Sequence, residues 1–221
     1  MSEKGPMNAA VRAPWELSAA PSLSTRVVTD RLVLRPARTT DVPALRQALR
    51  RNDAHLRPWS VAPTVGEDAA SLTSVSRAVL RHRREWKLGQ GYVLLMTPRE
   101  DDRTLIGRVA LGGVLRGALQ NAVLGYWIDA GYQGRGLVTE AVRAVTTFAF
   151  GSLGLHRVQA AVMPGNAASH RVMEKAGYRR EGVAERYLCI AGTWEDHVIY
   201  AVTADEARPA CGAQPPPGGG R

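Results

Sequence analysis

The sequence predicts an α/β (α+β) domain, with a mixed, largely antiparallel central sheet and helices on both of its faces. Three observations carry that expectation. Apolar periodicity switches along the chain between the two-residue repeat of strands and the three-to-four-residue repeat of helices. Several strand-like stretches follow one another across short polar turns, the pattern of antiparallel hairpins. One of them, residues 123–128, runs instead through a glycine loop into an amphipathic helix and then another strand, so the sheet is mixed.

The elements follow in order. Residues 1–25 mix Ala, Pro and Ser without periodicity and read as a flexible leader, while residues 207–221, ending Pro-Pro-Pro-Gly-Gly-Gly-Arg, read as a disordered tail. The domain is placed between them, at 26–206. Residues 31–35 alternate like a strand, and Thr40-Asp41 opens a helix with Val42, Leu45, Ala48 and Leu49 on one face. A second helix is expected over 67–88, with Ala70, Val75, Val79 and Trp86 inward. Strands follow at 92–96, 105–115 and 123–128, the first two joined by a turn at Asp101-Asp102. From 137 to 150, Val138, Ala141, Val142, Val145, Phe148 and Ala149 share one helical face. A strand over 156–162 leads to a short helix over 167–176 that Gly177 ends in a left-handed conformation. Strands at 178–188 and 194–202 form a last hairpin around Ala191-Gly192-Thr193.

Bulk properties narrow the class. A chain of 221 residues, 45% hydrophobic, fits a single domain. No uninterrupted apolar run approaches the roughly 20 residues that span a bilayer, and the N-terminus lacks the basic-then-apolar order of a signal peptide. Cytoplasmic residence without a membrane partner is expected. Two cysteines, Cys189 and Cys211, are too few for a disulfide framework or a zinc site, so no metal is expected. A net charge of +9 admits polyanionic partners, nucleic acid, ribosome or a phosphorylated cofactor among them, but the arginines are spread along the chain.

The chemistry is concentrated at one junction. The strand ending Leu-Gly-Tyr-Trp-Ile128 passes through Asp-Ala-Gly-Tyr-Gln-Gly-Arg-Gly136 directly into the amphipathic helix. Such a junction presents unpaired backbone N–H groups at the positive end of a helix dipole, a site for a diphosphate. Gly134 and Gly136 carry no side chain to keep phosphates away, and Arg135 adds charge. A P-loop would need Gly-Lys-Ser/Thr where the chain has Gly136-Leu137-Val138, and the dinucleotide fingerprint would need a glycine where Thr139 stands. Both are excluded.

Residues 125–202 resemble the GCN5-related N-acetyltransferase (GNAT) superfamily, and within it the RimJ/RimL-like branch that acetylates ribosomal-protein alanine termini. The similarity rests on Gly-Tyr-Trp-Ile (125–128), Gln-Gly-Arg-Gly-Leu-Val-Thr-Glu-Ala (133–141), Leu-His-Arg-Val-Gln-Ala (155–160), Pro-Gly-Asn-Ala-Ala-Ser (164–169), Glu-Lys-Ala-Gly-Tyr (174–178) and Gly-Thr-Trp-Glu-Asp-His-Val (192–198). Leu-Val-Leu-Arg-Pro (32–36) and Leu-Arg-Pro-Trp (56–59) extend it forward. Val138 departs from the small residue usual at the end of the Gln/Arg-x-x-Gly-x-Gly/Ala signature.

The resemblance implies a sheet whose central strands splay, acetyl-CoA as co-substrate, and direct attack by an amine in a ternary complex. It implies cofactor contacts at Trp127, Ile128 and Asp129, through Gln133, Gly134, Arg135, Gly136, Leu137, Val138 and Thr139, and at Asn166 and Ser169. A backbone N–H at Ile128 or Asp129 would stabilise the developing oxyanion. Asn166 and Ser169 are the catalytic candidates, Ser169 as general acid toward the thiolate, although Asn166 alone also suits a helix N-cap. Trp59, Tyr126 and Tyr187 are the candidates for the acceptor pocket. Leu188 stands where some branch members carry a glutamate, and no general base is assigned. Glu140 serves equally well as a helix N-terminal charge. The acceptor is expected to be a protein N-terminus, with a small amine (amino acid, polyamine or antibiotic) as the alternative, a non-catalytic ribosome- or RNA-associated protein as a third reading, and a monomer or homodimer as the assembly.

Overall fold

In the computed structural model of the chain, residues 20–61 and 68–207 are described. Most of the leader expected at 1–25, most of the tail expected at 207–221, and Cys211 with it lie outside the described residues. Within the leader, residues 20–25 pack on the domain: Leu23 contacts the core, and the Trp86 indole N–H donates to the Pro21 carbonyl at 2.6 Å.

A two-residue strand β1 (Val27–Val28), too short to give a periodic signal, precedes β2 (Leu32–Pro36), which is buried at every position. Helix α1 (Val42–Arg51) has proline in its first turn and buries Val42, Leu45 and Ala48. A four-residue helix α2 (Asp53–Leu56) and a 3-10 turn over Arg57–Trp59 follow. Helix α3 (Leu72–Lys87) begins later than the expected position 67, which itself lies outside the described residues. Asp68 accepts the Ala70 N–H at 2.8 Å, and Ser71 then caps the helix by accepting the Ser74 N–H at 3.1 Å. Those side-chain bonds hold a turn where apolar spacing alone would continue the helix.

The remaining elements are β3 (Tyr92–Pro98), β4 (Gly107–Leu115), β5 (Asn121–Ile128), α4 (Leu137–Gly151), β6 (Arg157–Val162), α5 (Ala167–Ala176), β7 (Arg179–Ile190), β8 (Thr193–Thr203) and α6 (Ala204–Ala207). Gly177 ends α5 at φ +87°, and Ala191 and Gly192, both with positive φ, make the tight β7–β8 turn. The strand order is β1-β2-β3-β4-β5-β6-β8-β7, and β5–β6 is the one parallel pair among the described residues. The sheet is thus mixed and mostly antiparallel.

Helices α4 and α5 cover one face. Ala141, Val142, Val145 and Ala149 of α4 and Met173 of α5 belong to the same buried cluster as Leu124 of β5, Val158 and Ala160 of β6 and Val198 and Tyr200 of β8. At its edge, Trp86, Tyr92 and Phe148 pack with ring centroids 5.0 to 6.2 Å apart. Helices α1 and α3 cover the opposite face over β2 to β4, where Val42, Leu45, Ala48, Val75 and Val79 meet Leu95 and Leu105. Beyond β4 that face is open: Gly125 is exposed, and Gln159 and Ala161 are half-exposed while the alternate residues of β6 are buried.

The sheet parts at its centre. Asn121 to Leu124 of β5 pair with Arg157 to Ala160 of β6, but Gly125 to Ile128 pair only with β4, and Ala161 and Val162 only with β8. Backbone groups on that side of β5 therefore have no strand to bond among the described residues.

Candidate active site

The glycine loop is held from beneath by a buried polar node. Asp129 accepts from Asn52 Nδ2 at 2.9 Å, from Arg51 Nε at 2.5 Å and from the Gly131 N–H at 2.9 Å. Asn52, itself buried, returns its Oδ1 to the Ala130 N–H at 2.9 Å. Burial works against the Asp129 charge, but the bonds from Asn52, Arg51 and Gly131 outweigh it and hold its carboxyl below the usual range. The Asp129 side chain is thus a loop anchor. The sequence offered no motif for Arg51 or Asn52, because they come from the end of α1, 77 or 78 positions away.

A second anchor clamps the other end of the loop. Glu140 accepts from the Thr29 hydroxyl at 2.6 Å, the Arg31 N–H at 3.0 Å and Arg31 Nε at 2.7 Å. Arg31 in turn donates to the Arg135 carbonyl at 2.9 Å. Partial burial opposes the Glu140 charge, but those donors prevail and keep its carboxyl below its ordinary value. Glu140 is thus a cation-paired structural carboxylate rather than a base. Between the anchors, the Arg135 guanidinium lies over the Tyr132 ring and bonds the Gly131 carbonyl, and Gln133 meets His55 at 2.7 Å.

Gly134 and Gly136 sit at φ +71° and +75°, where a side chain would be strained. Gly136 is the N-cap of α4 and offers no capping side chain. The first helical bond is Glu140 N–H to the Gly136 carbonyl at 3.1 Å, and the N–H groups of residues 134–139 have no partner among the described residues. A long helix with an uncapped, glycine-opened N-terminus fits a diphosphate, which would accept those bonds at the positive end of the dipole. Gln133, Arg135, Leu137, Val138 and Thr139 all lie in this turn.

On β5, the Asp129 N–H donates to the Ile106 carbonyl at 2.8 Å, so it is committed. The strand's alternation then turns the backbone groups of Ile128 and Tyr126 toward the gap beside β6, and those of Trp127 toward β4. Of the two oxyanion donors expected, Ile128 is the one left. The Trp127 side chain packs on the α1/α3 face. Tyr126, expected at the acceptor, has its ring on the α4/α5 face, and its hydroxyl donates to the Ser169 carbonyl over a long 3.5 Å. Burial pushes the Tyr126 hydroxyl up to about 12, so it stays protonated.

Asn166 caps α5 by accepting the Ser169 N–H at 3.0 Å, which leaves its amide N–H₂ without a partner among the described residues. The Ser169 hydroxyl, by contrast, has the Tyr126 hydroxyl as a hydrogen-bonding neighbour. His170 bridges the Tyr200 hydroxyl and the Pro164 carbonyl at 2.9 and 3.2 Å, and Arg143 donates to the Lys175 carbonyl, so both are tied into the fold. Trp59 and Tyr187 are both exposed and lie at one rim. Val61, two residues past Trp59, bridges Ile190 of β7, and Tyr187 sits in a bulge between Ala184 and Leu188, its ring 5.8 Å from that of buried His197. Among the described residues no group of His, Cys, Asp or Glu could hold a metal ion, and no helix is long and apolar enough to cross a membrane.

A splayed sheet, a glycine-opened helix beside it and a serine on the next helix define an acyltransferase of the GNAT type. Residues 31–179 match the family described as acetyltransferase (GNAT) domain, and the chain belongs to that family. It is 40% identical to the probable N-acetyltransferase YjcK of Bacillus subtilis (strain 168) over 62% of this chain and 75% of the relative. It is 33% identical to the [ribosomal protein uS5]-alanine N-acetyltransferase of Escherichia coli (strain K12) over 83% of this chain and 93% of the relative. Among solved structures, Mycobacterium smegmatis RimJ in complex with CoA-disulfide superposes with a TM-score of 0.74 at 32% identity, over 79% of this chain and 83% of that one. The chain is an acetyltransferase of the RimJ type.

Proposed function

We propose that the chain moves the acetyl group of acetyl-CoA to the N-terminal α-amine of a protein, a ribosomal one in the first instance. The observation that carries the donor half is the α4 N-terminus, where residues 134–139 offer N–H groups with no partner among the described residues. Those amides hold the pyrophosphate, and the unpaired edge of β5 from Tyr126 to Ile128 pairs with the pantetheine arm.

The acceptor amine, neutral when it attacks, forms a bond to the acetyl carbon from the open α1/α3 side. The Ile128 N–H stabilises the negative charge that grows on the carbonyl oxygen. As the carbon–sulfur bond breaks, the Ser169 hydroxyl supplies a proton to the departing thiolate, and the excess proton on the former amine nitrogen leaves through solvent water, which restores the Ser169 hydroxyl. Trp59 and Tyr187 stand at the rim an extended peptide would cross.

The protein acceptor is supported by similarity to the uS5-alanine enzyme across most of both chains. Ribosome association and cytoplasmic residence belong to that reading. Purified protein and acetyl-CoA, offered peptides starting with Ala or Ser, α-blocked versions containing lysine, and small amines, should add one acetyl group to the free α-amine peptides alone. Turnover confined to small amines would replace the protein acceptor with a small molecule.

A further inference from the structure

We propose that Arg108 binds a carboxylate carried by the acceptor, within the first few residues behind the reacting amine. The inference rests on the acetyltransferase reading above. Arg108 lies on β4 between Leu95 of β3 and Trp127 of β5, and Trp127 immediately precedes the Ile128 amide at the reacting centre. Leu95 and Trp127 both belong to the α1/α3 face, so Arg108 stands on the side from which the amine approaches.

Its surroundings leave the guanidinium unanswered. Among the described residues, the side-chain polar atoms that are shut off from solvent without a partner are Nε of Arg35, Arg108 and Arg116 and Oδ1 of Asn121. Arg35 still binds Asp41 through its other nitrogens, and Arg116 binds the Leu153 carbonyl at 2.7 Å. The Arg108 guanidinium has no hydrogen-bond or ion-pair partner among the described residues.

Burial lowers its pKa, and the like charge of Arg81 on α3 lowers it further. Arg81 itself faces Glu85 at 3.7 Å. The neighbouring His82, driven down to about 4 by burial and then by Arg108 and Arg81, is neutral at pH 7 and adds no acceptor of negative charge. A half-buried, unpaired arginine is an unfavourable feature of the free protein, and a planar carboxylate is the group whose geometry satisfies it. At about 3.3 Å per extended residue, a carboxylate on the second or third residue of a peptide comes within the arginine's reach from Ile128. The α-carboxylate of an amino-acid-sized acceptor offers the same chemistry.

The test pairs kinetics with stability. For the wild type, kcat/KM should be on the order of tenfold or more higher for peptides with Asp at position 2 or 3 than for their Asn counterparts, mostly through KM. In Arg108→Met that ratio should fall toward one. Alanine compared with alaninamide separates the α-carboxylate from a side-chain source. Arg108→Met should also raise Tm, because removing an uncompensated charge relieves the free protein. Equal rates for Asp and Asn peptides in the wild type, or a preference that survives Arg108→Met, would overturn the proposal. So would a lower Tm in Arg108→Met, which needs no turnover to measure. Loss of all peptide acetylation would instead count against the protein-acceptor reading.

Discussion

At the residue scale the glycine loop depends on side chains of α1 that pack behind it. Asn52 satisfies the Ala130 N–H and the Asp129 carboxylate together. Asn52→Ala leaves both short of a partner, so denaturant unfolding should show a loss of about 1–3 kcal/mol, and acetyl-CoA should bind more weakly because the loop loosens. Ser169 has the opposite profile. Its hydroxyl meets that of Tyr126, so Ser169→Ala should cost about 0.5–1.5 kcal/mol of stability, leave acetyl-CoA affinity nearly unchanged and lower kcat by roughly 10²-fold or more. Unchanged turnover would remove it as the acid. Asn166 and Ser169 were legible as a spaced pair, and the Asn166 cap follows from local chain geometry. Arg51 and Asn52 were not, because a hydrogen bond between α1 and the loop after β5 leaves no periodic trace in sequence. Nor did sequence order reveal that Asp129's amide was already taken by Ile106.

Helices were legible where local signals were strong: α4 was readable from its apolar face, and α5 from Asn166 at its start and Gly177 at its end. The start of α3 was misplaced because the Asp68 and Ser71 side chains compete with the helix, a local effect that apolar spacing does not encode. The splay depends on which residues pair across strands, and sequence carries that only through resemblance. Gly107 shows how tightly the region is built. A Cβ there would lie 2.5 Å from the Trp127 carbonyl as well as meeting the flexible end of Met96. Gly107→Ala should therefore push β5 away from β4, lowering Tm and depressing kcat together, since Ile128 is the next residue.

The two anchors also tie the loop to pH. Asp129 and Glu140 have folded pKa values below their ordinary 3.8 and 4.5. The stability they contribute is therefore present above those values and is lost as pH falls through the folded ones. Thermal melts should hold steady at neutral pH and drop below about pH 4.5. Arg31→Gln, which removes Glu140's charged partner, should make that acid-side fall shallower.

On the scale of the whole molecule, the sheet divides the work. In the proposed reading, helices α4 and α5 on one face serve the donor, the open part of the α1/α3 face receives the amine, and the gap between β5 and β6 joins the two. That division explains why the donor was readable from sequence and the acceptor was not. The proposed donor site uses one contiguous strand–loop–helix segment, whereas the proposed acceptor residues come from the 3-10 turn at Trp59, β4 and the β7–β8 hairpin. The net charge of +9 should add a long-range attraction for a polyanionic donor, so acetyl-CoA affinity should weaken as salt is raised.

The central claim, that the uncapped start of α4 holds the donor pyrophosphate, is tested most directly by calorimetric titration of acetyl-CoA into the wild type, Gly136→Ala and Gly136→Asp. The wild type should bind one acetyl-CoA per chain. Gly136→Ala should lose about 1–2 kcal/mol of stability through its left-handed backbone. Gly136→Asp, folded to a similar degree, should bind at least roughly 100-fold more weakly, because it adds a negative charge to the turn proposed to hold the phosphates. Equal affinity in wild type and Gly136→Asp, or no binding by the wild type, would contradict it.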